Sequence, residues 1–134
     1  MDDESPDASL REAIPVFLVD DIASTMRWYE TNLGFGGRAA PPSPPHTFAI
    51  LSRDRVTIFL QQLDGYRRPD LYDERAGGVW SVYLQTNGVR PLFEKLSRLP
   101  GVTILETLTH QDYGQTEFVI RDPNGYALVF AQAD

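Results

Sequence analysis

The chain has 134 residues, which suits one compact domain, and 42% hydrophobic residues fill one ordinary core at this size. It contains no cysteine, so disulfides, thiolate nucleophiles and cysteine-held zinc or iron–sulfur sites are excluded. Lys+Arg 12 against Asp+Glu 19 gives a net charge of -7, which repels nucleic-acid phosphates and anionic membrane surfaces. The nearest basic pair, Arg67-Arg68, stands among Asp64, Asp70, Asp73 and Glu74 and makes no basic patch. No apolar run approaches the roughly 20 residues of a membrane helix, and the first residues lack the basic-then-apolar order of a signal peptide. The expectation is a soluble, cytoplasmic protein with neither nucleic acid nor membrane as partner.

Residues 1–12 are polar and acidic and read as a disordered tail, leaving 13–134 as a single domain. Ala13 to Val19 is a β-branched and aromatic run that predicts a buried strand ending at Asp20-Asp21. Ile22, Met26, Tyr29 and Leu33 then recur at helical spacing, and Gly34 stands where a C-terminal cap belongs. Phe35 to Ala39 predicts a short strand, and Pro41 to Pro45 a loop that cannot donate ladder hydrogen bonds. Thr47 to Ser52 and Val56 to Gln62 predict two strands around a turn at Arg53-Asp54. The polar, turn-rich stretch 64–78 reads as a connection.

The order then restarts. Val79 to Thr86 predicts a strand, and Asn87 can cap a helix whose apolar residues Val89, Leu92, Phe93, Leu96 and Leu99 share one face. Pro91 is tolerated in its first turn, and Pro100-Gly101 stops it. Val102 to Thr109, Thr116 to Arg121 and Tyr126 to Gln132 predict three more strands, the last two joined by the turn Asp122-Pro123-Asn124-Gly125. The chain is therefore an α+β fold of two tandem βαβββ modules, 13–63 and 79–132. Each forms a curved mixed sheet with its helix on the outer face, and the other sheet faces are expected to meet around a cleft. Strand parity assigns Val82, Leu84, Leu128, Phe130, Ile58 and Leu60 to the helix side. Ser81, Tyr83, Gln85, Phe59 and Gln61 then face the cleft, with the small Ala127, Val129 and Ala131 leaving room.

This order, with Ile14-Pro15-Val16-Phe17-Leu18-Val19-Asp20-Asp21-Ile22, Trp28-Tyr29-Glu30, Leu33-Gly34-Phe35 and Gly114 through Tyr126, resembles the vicinal oxygen chelate superfamily. That superfamily includes glyoxalase I, extradiol dioxygenases, fosfomycin-resistance enzymes and bleomycin-resistance proteins. The resemblance implies one metal ligand, His or Glu as a rule, on each of four cleft-facing strands. The corresponding positions here are Ile14, Phe59, Ser81 and Val129, none of which offers a carboxylate or imidazole. No metal and no other cofactor is expected. His46 and His110 lie off these positions and read as solvated loop-edge histidines.

The resemblance is closest to the metal-free bleomycin-resistance branch, whose clefts form between two subunits. It implies a homodimeric protein that binds and sequesters a small molecule, an antibiotic or a metabolite, without catalysis. The alternative is a lyase, isomerase or dioxygenase-type enzyme of the same fold, working through Glu117. Glu117 is the strongest ligand candidate, since a carboxylate inside an apolar strand is costly unless paired or used, and Arg121 or Arg38 are its candidate ion-pair partners. Gln61, Tyr83 and Gln85 offer hydrogen bonds, and Phe59 and Trp80 offer stacking faces. A catalytic residue is not assigned. The residues leave open whether the modules pair within one chain or exchange between subunits.

Overall fold

The computed structural model describes residues 8–134; the part of the expected tail that falls on 1–7 lies outside them. Each module begins with a strand and a helix and continues with three antiparallel strands. Module 1 comprises β1 (Val16–Val19), α1 (Ile22–Leu33), β2 (Gly36–Ala40), β3 (Phe48–Arg53) and β4 (Val56–Gln62). Module 2 comprises β5 (Val82–Gln85), α2 (Val89–Leu96), β6 (Thr103–His110), β7 (Gln115–Arg121) and β8 (Ala127–Ala133). The sheets run β1-β4-β3-β2 and β5-β8-β7-β6, each with its first strand parallel to its last and the other pairs antiparallel. The two sheets share no strand pairing and do not close on each other.

Three expected elements are shorter than their hydrophobic patterns: β1 starts at Val16 instead of Ala13, which leaves Ile14 outside the strand. β5 starts at Val82 instead of Val79, which leaves Trp80 outside the strand. α2 ends at Leu96, with Leu99 carried in the following turns yet still packed on the core. Its N-cap is Gly88 instead of Asn87. The helix starts are instead secured from across each sheet: Gln62 Oε1 on β4 accepts from Ile22 N–H at 3.0 Å, and Gln132 Oε1 on β8 accepts from Val89 N–H at 3.0 Å. Both modules therefore satisfy an orphan helix-end donor with a glutamine of their last strand. The C-terminus of α1 turns on Gly34 in the left-handed region, φ 70°, where an L side chain would be strained.

The helix-facing parity holds. Ile58, Leu60, Leu84, Leu128 and Phe130 lie in one core with Ile22, Tyr29 and Leu33 of α1 and Val89 and Leu96 of α2. That core is common to both modules, and the contacts that join them lie on this side or at the β7–β8 turn. Tyr126 stacks on Phe17 of β1, centroids 4.0 Å apart and rings 5° from parallel, and its hydroxyl donates to the Leu18 carbonyl at 2.8 Å. Trp28 Nε1 donates to the Gly101 carbonyl at 2.8 Å, and Asn124 Nδ2 to Thr25 Oγ1 at 3.0 Å.

At the centre of this joint, fully buried Tyr29 donates to Asp122 Oδ2 at 2.6 Å, while Asp122 Oδ1 accepts from the N–H groups of Asn124 and Tyr126. Burial pushes the Asp122 carboxyl up, against the opposing pull of these donors; burial and then the Asp122 charge push the Tyr29 phenol up. The expected meeting of the opposite sheet faces does not occur within this joint, because the modules are clasped through their helix-bearing sides. Among the described residues no helix is long and apolar enough to cross a membrane.

The Tyr29–Asp122 bond is a hydrogen bond to a buried acid, so Tyr29→Phe is expected to lower the unfolding free energy by about 1.5–3 kcal/mol. Urea denaturation measures this. A loss below about 0.5 kcal/mol, the scale of ordinary surface substitutions, would show that the joint does not depend on it.

Candidate functional site

The face of the β5-β8-β7-β6 sheet opposite α2 carries Ala127, Val129 and Ala131 from β8, with Val119 and Glu117 beside them on β7. All five are buried, although neither α-helix packs on this sheet face. Tyr72, Tyr83 and Leu105 cover Val119, Ala127 and Val129. Tyr83 comes from β5, directly beside Val129, and Leu105 from β6. Tyr72 comes from the connection, where Tyr72–Glu74 form one 3-10 turn laid over the sheet.

The connection is pinned at several points. Arg121 on β7 holds Asp70 at 2.9 Å, Arg68 donates to the Gly125 carbonyl at 3.1 Å, and the Arg68 guanidinium lies 4.8 Å over the Tyr126 ring. Gly78 has φ 89°, and a Cβ there would lie 2.4 Å from the Tyr72 ring, so only glycine admits the ring at this spot.

Glu117 is fully buried in this face. Its Oε2 accepts from the Tyr83 hydroxyl at 2.5 Å, and both its oxygens lie 2.8 Å from the Tyr113 hydroxyl. The expected ion pair with Arg121 or Arg38 is absent: Arg121 is committed to Asp70, and two phenols satisfy the carboxylate instead. The cause is the β7 register. Tyr113 lies four residues upstream, across the turn at Gly114, and Tyr83 reaches in from the far side of β8.

Burial, followed by the hydrogen bond to Glu117, raises both phenols above their ordinary range, Tyr113 to about 12. They stay protonated donors. Glu106 of β6 adds a second acidic group; burial and then the Glu117 charge push its carboxyl up. Its strand carries irregularities between Ile104 and Glu106 and between Glu106 and Thr109, and Glu106 stands opposite Val119. Without those irregularities, alternation would place Glu106 with Ile104 and Leu108, which pack on the helix-side core.

The structure brings three of the sequence candidates together on this face. Trp80, 38% exposed, lies 5.4 Å from Tyr83, and Tyr83 holds Glu117. Gln85, at the end of β5, is exposed and lines a groove at the joint between modules. Phe59 and Gln61 lie on the other sheet, where Phe59 packs edge-on against Phe48 at 5.0 Å. That face keeps Val16 49% exposed and Leu18, Phe48, Ile50 and Phe59 only half-buried. The sequence reading missed Tyr72, Tyr113 and Glu106. Tyr113 alone carried a usable signal, being a tyrosine one turn ahead of the buried Glu117.

The four positions that the resemblance assigns to metal ligands can be tested by register. The two helix-start glutamines make Ile22 equivalent to Val89 and Gln62 to Gln132. Ile14 and Ser81 each lie eight residues before these helix starts, and Phe59 and Val129 each three before these glutamines, so they are equivalent pairs. Isoleucine, phenylalanine and valine offer no donor atom, and Ser81 Oγ accepts from Ala127 N–H at 3.0 Å. These residues do not fit a divalent ion. Among the described residues, no group of three His, Asp or Glu comes together elsewhere in a way that could hold one.

Among solved structures, TioX from Micromonospora sp. ML1 is 16% identical, with a TM-score of 0.70 over 92% of this chain and 97% of that one. A glyoxalase-related enzyme from Clostridium phytofermentans is 15% identical, with a TM-score of 0.72 over 97% of this chain and 100% of that one. The bleomycin-binding protein from bleomycin-producing Streptomyces verticillus, solved with copper(II)-bleomycin, is 17% identical, with a TM-score of 0.67 over 95% and 99%. At these identities the likeness is one of fold. No curated protein sequence gives a significant match. The sequence model of the Glyoxalase/Bleomycin resistance protein/Dioxygenase superfamily matches residues 14–130, from the start of module 1 into β8 of module 2, and the chain belongs to that superfamily.

Proposed function

We propose that the protein binds and sequesters a small organic molecule, an antibiotic or a metabolite, without a metal, on the Glu117 face of module 2. The observation that carries this reading is a buried carboxylate held by two phenol hydroxyls within a ring-lined face, in a chain whose four positions matched to metal ligands offer no carboxylate or imidazole. Tyr72, Tyr83, Tyr113 and Trp80 supply flat aromatic surface, and Glu117 and Glu106 supply acceptors. That combination favours a planar ligand bearing a cation or hydrogen-bond donors. The overall charge of -7 attracts such a ligand at long range.

Phe59 and Gln61 belong to this reading through a second subunit. The half-exposed apolar face of module 1, with Val16, Leu18, Phe48, Ile50 and Phe59, is the surface that a partner's Glu117 face would cover. The protein is thus a homodimer whose two ligand clefts each take one face from each chain. The bleomycin-binding protein of the same fold supports ligand binding as a use of this architecture. Cytoplasmic location and a role in antibiotic resistance complete the proposal. A second reading, an enzyme of the same fold, draws on Glu106, whose raised carboxyl beside Glu117 suits proton transfer.

A thermal-shift screen of cationic glycopeptide antibiotics, bleomycin included, and of aromatic amines tests the binding reading. A ligand at a hundred times its Kd is expected to add about 2.7 kcal/mol of stability and to change the fluorescence of Trp80. Glu117→Gln is expected to weaken that ligand tenfold or more. A screen blank across both classes sinks the proposal, and a stoichiometric divalent ion in protein purified without chelators favours the enzyme.

Glu106 gives a pH dependence. Its folded carboxyl binds its proton more tightly than the unfolded one, so the native state holds more protons just above the ordinary value of 4.5. Stability therefore falls as pH rises through that window. Glu106→Gln is expected to raise Tm at pH 7 and leave it little changed at pH 4, as read by calorimetry at both values. A cationic ligand seated on this face reverses the shift, and titration calorimetry in two buffers then detects proton release on binding.

A further inference from the structure

The joint between modules has two ends that the repeat makes equivalent, and only one of them is filled. The helix-start glutamines set the correspondence: Phe17 of β1 answers to Leu84 of β5, Thr25 of α1 to Leu92 of α2, and Tyr126 before β8 to Val56 at the start of β4. At the filled end Tyr126 stacks on Phe17, its hydroxyl reaches the Leu18 carbonyl, and Asn124 of the β7–β8 turn bonds Thr25. At the other end the ring pair is replaced by valine and leucine, and Leu92 offers no hydroxyl to the β3–β4 turn.

The consequence is a cavity of about 560 Å³ at that end. Its walls are Phe35, Val56, Leu84, Leu92 and Phe130, and its lining includes Gln85, the counterpart of Leu18. Arg53, Asp54 and Arg55 of the β3–β4 turn stand at its mouth. Arg53 is spent on the Leu33 carbonyl at 2.9 Å and on Asp54 at 3.4 Å, so Arg55 is the group that makes this rim locally cationic in a chain of net charge -7.

We propose that this cavity is a binding site for a planar aromatic carboxylate, separate from the Glu117 face. The aromatic part takes the place that the Tyr126 and Phe17 rings fill at the other end, and the carboxylate meets the arginine rim. The volume lies within the roughly 300–1,000 Å³ of small-molecule sites, larger than one phenyl ring needs, so a bicyclic acid suits it. Charge separates the two sites: an anion belongs here and a cation or donor-rich ligand on the Glu117 face.

The test is titration calorimetry with 2-naphthoate as the probe, with 2-naphthylmethylammonium as the cationic comparison. The wild-type chain is expected to bind 2-naphthoate saturably, one per chain, and more tightly than the ammonium. Val56→Tyr restores the ring found at the filled end and is expected to weaken 2-naphthoate at least tenfold. Arg55→Gln is expected to weaken it about fivefold. Leu92→Phe, which reduces the cavity from the α2 side, serves in place of Val56→Tyr if that variant does not fold. No binding by the wild type, equal binding by the filled variants, or preference for the ammonium overturns the proposal. Val56→Tyr leaves the Glu117 face intact, so ligands found there by thermal shift should be unaffected by it, and either site can fail without the other.

Discussion

The hydrogen bond between Tyr29 and Asp122 fixes which faces of this molecule are turned into the joint between modules and which are left outside it. A carboxyl group that is 3% exposed costs several kcal/mol to desolvate unless donors surround it, and here they come from both modules: a phenol from α1 and two backbone N–H groups from the β7–β8 turn. The bond forms only when the helix-bearing side of module 1 meets the turn of module 2. Once it has formed, the opposite sheet faces point away from the shared core. They are the surfaces left outside the joint.

The two leftover faces differ in how they handle that exposure. Module 1 presents aliphatic and aromatic side chains with little polar relief, a surface whose removal from water is favourable by about 25 cal/mol per Å². Module 2 instead covers its small alanines and valines with tyrosines and buries a carboxylate among them. A structural role alone would be met by an apolar residue at Glu117, at no desolvation cost. Two phenols, kept protonated by their raised pKa, donate to the carboxylate, and Glu106 beside it remains incompletely compensated. An uncompensated acidic group in a ring-lined face is an arrangement that a cationic ligand improves.

The repeat, the strand order and the helix-side parity were legible because they follow from period alone. Val82 and Leu84, or Leu128 and Phe130, can face only one way once their neighbours are polar or small. The position of the modules relative to each other was not legible, because parity says which face is apolar and not which partner covers it. Glu106 was hidden for a different reason. Irregular pairing in β6 breaks the alternation on which the reading depended, and a strand sequence does not announce where its register slips. Tyr72 was out of reach as well, since the connection has no period and its place is set by Arg121, Arg68 and the bare Cα of Gly78. Glu117 stood out as an expensive residue, but its partners were sought among cations, whereas the strand geometry presented phenols.

Duplication explains the remainder. A repeated module inherits equivalent positions, and what distinguishes the copies is where equivalence has been lost. The glutamines at 62 and 132 have kept one task, securing a helix start from the last strand. The pairs Ile14 with Ser81 and Phe59 with Val129 keep their register while offering neither a carboxylate nor an imidazole. Tyr126 and Val56 have diverged in size, so one end of the joint is closed by stacked rings and the other is open. Both proposed binding sites therefore lie where the two copies disagree: at the phenol-held carboxylate that only module 2 contains, and at the end of the joint where module 1 supplies a valine in place of a tyrosine.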